Sequence, residues 1–125
     1  MNFPEDLKYT DSHEWVKIDN GVATIGITEF AAGELGDVVF VDIPEARAVA
    51  AGDTFGSIEA VKTVSDLIAP ISGTITEINP LLEGSPETVN ADPYGSGWMV
   101  KMTIDNPGEA EGLMDASQYM TLIGK

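Results

Sequence analysis

The segment SIEAVKTVSD, Ser57 to Asp66, sets Lys62 inside a short apolar run between Glu59 and Asp66. That lysine is one of only five in a chain of 125 residues whose formal net charge is -15. On either side of it, FGSIEAV and TVSDLIA are rich in β-branched and aromatic residues, and they predict two strands that meet at the lysine. A lysine so placed has two readings. It is a solvated residue at a strand end, with its stem on the surface and its amine in water, or it stands at a hairpin tip where its amine can be acylated, losing its charge and becoming a long flexible arm. Three local features favour the second: the run is bounded by acidic residues, small Ala60 and Thr63 leave the side chain open, and the flanking halves read as a hairpin.

Working outward, the rest of the chain predicts more strand than helix. HEWVKI (13–18) and VATIGI (22–27) are joined by Asp19-Asn20-Gly21, and Asn-Gly between such runs signals a hairpin because both central turn residues need positive φ. TEFAAGELG then predicts a helix of about two turns, with Thr28 as cap, Glu29 in the first turn and Gly36 as the left-handed stop. VVFVD (38–42) reads as a buried strand ended by Pro44, and SGTITEI as a third strand after the lysine hairpin. FGSIE and SGTITE resemble each other, which suggests a quasi-symmetric sandwich. LLEGSPETVNADPYGSG reads as loop, and WMVKMTI (98–104) as a strand with Trp98, Val100 and Met102 on one side. From Pro107 to Leu122 the pattern turns helical, with Leu113, Met114, Tyr119, Met120 and Leu122 apolar and Asp115 able to start a second helix. The expected architecture is a single domain over residues 1–125: mostly β, a sandwich or flattened barrel, with short helices and a C-terminal helical segment packed against the sheet.

Composition narrows the function. With 21 acidic side chains against six basic ones, no Lys/Arg cluster exists to displace counterions from a phosphate backbone, so nucleic acid and anionic membrane surfaces are not expected partners. The acidity serves either solubility or the steering of basic partners. No run approaches the roughly 18 apolar residues of a membrane span. The N-terminal MNFPEDLKYT lacks the look of a signal or transit peptide, and every Asn lies outside a glycosylation sequon, which together predict a cytoplasmic protein. The absence of cysteine removes disulfides, thiolate metal sites and a cysteine nucleophile, so any redox chemistry must come from a cofactor.

Resident catalytic machinery is hard to find. His13 is the only histidine, too few to complete a zinc site, and as neighbours on one strand His13 and Glu14 point to opposite faces and cannot converge on one ion, so a structural role is expected. No Gly-x-Ser-x-Gly elbow, phosphate loop or EF-hand pattern occurs. As an enzyme acting alone the chain has almost nothing to work with, which turns attention back to Lys62.

Along nearly its whole length the chain resembles the glycine cleavage H-protein family, whose members are lipoyl carriers. The resemblance rests on LKYTDSHEWV (7–16), VATIGITE (22–29), LGDVVFVDIP (35–44), IEAVKTVSDLIAPISGTI (58–75), NADPYGSGWM (90–99) and the helical ending. Glu59 three residues before the lysine, Leu67 five after, Gly73 eleven after and Ile75 thirteen after match lipoyl hairpins, whereas biotin carriers usually place Met on both sides of the lysine. The chain departs from the family at Ala60, where Ser is common, at Phe30, where His is frequent, and in a shorter loop at 45–49; the frame around Lys62 is unaffected.

The resemblance implies a lipoyl/biotinyl-type β-sandwich with lipoate joined to Lys62 through an amide bond, framed by Glu59, Asp66 and Gly73. It implies an arm that collects the aminomethyl group of glycine from the PLP-dependent glycine decarboxylase and delivers it to the tetrahydrofolate-dependent aminomethyltransferase. Dihydrolipoamide dehydrogenase then reoxidises the arm, and a lipoate-attaching enzyme loads it. It further implies a cleft for the loaded arm at Ser12, Glu14, Ile27, Leu35 and Asp66, with Glu14 as partner of the cargo's protonated amine and water kept out. The alternative is a lipoyl-relay protein that donates its lipoate to 2-oxoacid dehydrogenase complexes; genes for glycine decarboxylase nearby in the genome would separate the two. A binding module with Lys62 unmodified is distinguished by mass.

Overall fold

A computed structural model describes residues 2–125. The Asn-Gly turn comes out as its chemistry requires. Strands β1 (Lys8–Tyr9), β2 (Glu14–Asp19) and β3 (Val22–Ile27) form an antiparallel meander, and β2 and β3 are joined through Asn20 and Gly21 at φ of 51° and 77°. Helix α1 (Glu29–Leu35) follows at once, its first turn capped by the Thr28 hydroxyl, which accepts from the Ala31 N–H.

The remaining strands are β4 (Val38–Asp42), β5 (Ala48–Val49), β6 (Thr54–Ala60), β7 (Val64–Ile68), β8 (Gly73–Ile78) and β9 (Val100–Ile104). They complete two antiparallel sheets, one of six strands in the order β1-β2-β3-β9-β8-β5 and one of three in the order β4-β6-β7. One apolar core joins both: Ile25, Ile75, Val100 and Met102 from the larger sheet meet Phe55, Ile58 and Leu67 from the smaller. The fold is therefore the expected mostly β sandwich with short helices. FGSIE and SGTITE fall on β6 and β8, in opposite sheets. At Gly73 an added Cβ would collide with the Thr103 carbonyl oxygen of β9, so a side chain there would push β8 and β9 apart.

Several expectations need correction. VVFVD forms β4, but as a strand of the small outer sheet it buries only Val38, leaving Val39 and Phe40 about half exposed at 51% and 48%. The stretch read as loop contains helices α2 (Leu81–Gly84) and α3 (Thr88–Ala91), which insert Leu82 and Val89 into the core and are short enough to leave no periodic signal. Trp98 precedes β9 and packs in a second apolar cluster, apart from Val100 and Met102. The C-terminal tail divides into a 3₁₀ helix (Pro107–Gly112) and α4 (Ala116–Leu122). Between them Tyr9 and Met114 exchange backbone hydrogen bonds, and Asp115 and Gln118 form a capping box that starts α4. Tyr9, Trp15 and Tyr119 centre the second cluster, with Tyr9 and Tyr119 stacked at 4.9 Å, while Leu122 is exposed. Among the described residues no helix is long and apolar enough to cross a membrane.

Candidate functional site

Hairpin β6–β7 holds Lys62 at its tip. Ala60 donates its N–H to Thr63 O at 2.8 Å, closing the turn, and Val61 donates to Asp37 O at 3.0 Å, tying the tip to the segment between α1 and β4. Lys62 and both neighbours are exposed. Its side chain lies along the end of α1: a Cβ built on Gly36 would sit 3.1 Å from Lys62 Cε and 3.7 Å from Nζ. The amine therefore rests one residue beyond Leu35, which walls a cleft of about 160 Å³. At about 30 Å³ per water, this volume suits a head group of several heavy atoms.

The cleft brings together five of the residues the sequence singled out. Ser12 lines it from the turn before β2, Glu14 from the first position of β2, Ile27 from β3, Leu35 from α1 and Asp66 from β7. Glu59 is exposed on β6, between Phe40 and Val64 in the register of the small sheet, and does not line the cleft. Gly73 lies on the other sheet, where it serves the β8–β9 contact.

Glu14 is only 2% exposed. Its Oε1 accepts from Ser12 Oγ at 2.6 Å and Thr10 Oγ1 at 2.8 Å, while Oε2 has one long contact from the Ile68 N–H at 3.4 Å. Burial pushes the Glu14 carboxyl above the usual carboxylate range, and the bonds from Ser12, Thr10 and the backbone offset part of that rise. A buried carboxyl with one oxygen saturated and the other sparsely bonded has acceptor capacity for a donor entering the cleft.

His13 and Glu14 do not point apart. His13 lies outside β2 with φ of 72°, so strand alternation does not apply to it, and both side chains line the cleft. Nothing in the sequence signals that backbone state. Ala31 and Glu34 also line the cleft; Ala31 lies four residues before Leu35 and three before Glu34, a helical spacing that made them findable. Ile58, Ser65 and Leu67 complete its floor and far wall. Among the described residues no group of three or more His, Cys, Asp or Glu is arranged to hold a metal ion. A larger groove of about 440 Å³, between the Thr10–Ser12 turn, Pro70 and Leu122, carries a single charged side chain, Asp11, and so less chemistry than the smaller cleft.

The match to known proteins is extensive. A family model described as glycine cleavage H-protein covers residues 7–125. The glycine cleavage system H protein of Salinibacter ruber is 57% identical over 120 residues, covering 95% of this chain and 97% of its own. That of Staphylococcus epidermidis is 56% identical over 126 residues with full coverage of both chains. The crystal structure of a glycine cleavage system H protein from Mycobacterium marinum superposes with a TM-score of 0.90 at 42% identity, covering 98% of this chain and 100% of that one.

Proposed function

Because the chain belongs to the glycine cleavage H-protein family, with a lipoyl-carrier role in the glycine cleavage system, we propose that Lys62 takes the lipoyl group and that the neighbouring cleft receives the loaded end of the arm. The observation that carries this reading is the lysine's position, exposed at a hairpin tip and laid against Gly36 beside the helix residues that wall the cleft. When bound, lipoate supplies a dithiolane that takes up the aminomethyl group of glycine together with a pair of electrons, sulfur chemistry for which a cysteine-free chain has no resident group.

The chain's own residues bind and shield. Glu14 presents a desolvated carboxylate, costly when unpaired, so a cargo carrying an ammonium group relieves it while a neutral arm does not. Two hydroxyl donors on Oε1 hold the carboxylate in one orientation, leaving Oε2 to accept from the amine. Ile27, Leu35, Ile58 and Leu67 keep water from the cargo. Asp66, exposed at the β7 wall, adds negative charge at the entrance.

A tip that protrudes from a rigid sheet suits an arm that visits several enzymes in turn: glycine decarboxylase, the aminomethyltransferase and dihydrolipoamide dehydrogenase, after loading by a lipoate-attaching enzyme. The test is intact mass and peptide mapping after incubation with lipoate, ATP and a lipoate ligase, beside a Lys62→Arg control. One lipoyl amide confined to Lys62 is expected. An unchanged wild-type mass, with a known lipoyl domain modified in the same tube, overturns the proposal.

A further inference from the structure

One wall of the cleft is backed by a hydrogen-bonded chain that carrying an arm does not by itself require. Thr28, the cap of α1, is fully buried, and among the described residues its Oγ1 has two partners: the Ala31 N–H at 3.1 Å and the Tyr119 hydroxyl at 2.9 Å. Tyr119, fully buried on α4, places its hydroxyl 2.8 Å from His13 Nδ1. The direction of the chain follows by elimination. An N–H only donates, so the Thr28 hydroxyl proton has the Tyr119 oxygen as its one acceptor, and the Tyr119 proton is left with His13 Nδ1. Nδ1 is then an acceptor, and the ring carries its proton on Nε2.

We propose that Tyr119 is a positioning residue that fixes His13 as the neutral Nε2–H tautomer in the cleft wall, with the helix cap Thr28 setting the direction of the relay. Protonating Nδ1 would make it a donor to the Tyr119 oxygen and leave one buried hydroxyl proton, that of Tyr119 or of Thr28, without an acceptor, a penalty that opposes the imidazolium. The backbone also holds the ring in place: the His13 N–H donates to Thr10 O at 3.1 Å, and its carbonyl accepts from the Thr28 N–H at 3.0 Å.

Asp11 from the N-terminal turn and Glu34 from α1 favour the charged form of this ring, and Glu14 at the start of β2 and, across the cleft, Asp66 from β7 line the same cleft. Phe30 packs on the ring at 5.3 Å. Burial nevertheless lowers the His13 pKa, against the pull of Asp11 and Glu34. The consequence rests on the carrier reading above. An imidazolium would put a positive charge in the cleft wall and offset the carboxylates that the cargo's ammonium needs, whereas a neutral ring leaves the cleft its full negative charge.

Nitrogen-15 NMR of the full-length, unlipoylated protein reads the imidazole nitrogens directly. At neutral pH the expected wild-type ring is protonated at Nε2 and bare at Nδ1, with its charging midpoint below the ordinary imidazole value of about 6.5. Tyr119→Phe keeps the aromatic packing and removes both bonds; the midpoint moves up and the Nδ1–H tautomer becomes populated. Thr28→Ser keeps a hydroxyl and the wild-type pattern. A wild-type ring protonated at Nδ1 overturns the proposal, and so does a Tyr119→Phe protein whose tautomer and midpoint are unaltered. Should Tyr119→Phe not fold, the wild-type spectrum still decides. No lipoate enters this experiment, so its failure leaves Lys62 untouched, and a failure to lipoylate Lys62 leaves the relay standing.

Discussion

The hairpins β2–β3 and β6–β7 solve the same topological problem in opposite ways. In the first, the turn is made by the residues within it: Asn20 and Gly21 both hold positive φ, as a two-residue turn matched to strand twist requires. In the second, Val61, Lys62 and Thr63 hold no positive φ, and the tip is fixed partly from outside by the bond from Val61 to Asp37 O. Its strands are anchored by Phe55, Ile58 and Leu67, each 1% exposed and each worth about 1.5–3 kcal/mol of burial. Where turn chemistry is local, the turn residues are dictated by folding. Where packing and a tertiary bond hold the turn, its residues are free to serve a partner, and Val61 and Val64 stay 72% and 61% exposed beside the lysine.

The largest expected effect falls on the second hairpin and leaves its stability alone. Lys62→Arg should abolish lipoylation while urea unfolding changes by no more than about 0.5 kcal/mol, the usual range for an exposed site. A clear drop in unfolding midpoint would mean that the lysine is part of the turn's structure, and the contrast between the hairpins would collapse. Gly21→Ala is the converse experiment. Placing a Cβ at φ of 77° should cost about 1–2 kcal/mol without touching lipoate attachment. A Gly21→Ala protein as stable as wild type would show that the first turn, too, is held by its surroundings.

The same contrast explains what was legible in the sequence. Asn20-Gly21, the Thr28 cap and the Gly36 stop are local signals, and each element they predict is present. Lys62 was legible because its surroundings break a local expectation, a charge placed in a run of β-branched residues. The exposure of β4, helices α2 and α3, and the turn that swings His13 into the cleft were not legible, because each is decided by contacts between distant segments. Val38 accepts its place through Asn90, whose Oδ1 takes the Val38 N–H at 2.9 Å across 52 residues of sequence. Tyr119 was recognisable as apolar on its helix, but its bonds to Thr28 and His13 span 91 and 106 residues, beyond any periodic pattern.

Each hairpin also gives the cleft a carboxylate, and the smallest expected effect separates them. Glu14, at the start of β2, is buried, while Asp66 on β7 is exposed. Folding raises the Glu14 pKa above its ordinary value of 4.5, so the folded protein binds this proton more tightly than the unfolded chain does. Ionised Glu14 therefore subtracts stability, increasingly as pH rises from 4.5 through the raised value, and subtracts nothing in more acid solution. Glu14→Gln removes that charge, and the Thr10 and Ser12 hydroxyls can still bond to the amide. The expected outcome is a gain of the order of 1 kcal/mol at neutral pH that fades toward pH 4, together with faster loss of the cargo from the loaded arm. Asp66→Asn should shift stability by less than about 0.5 kcal/mol. Urea titrations of the two variants across this pH range measure the stability effects, and release of the cargo from the lipoylated, loaded protein measures the functional one. A Glu14→Gln protein that is destabilised at neutral pH would mean that the carboxylate's bonds to Thr10, Ser12 and Ile68 outweigh its desolvation. Glu14 would then be a structural brace of the turn before β2, and the selectivity of the cleft for a cationic cargo would have to come from Asp66 and Glu34 at its exposed side.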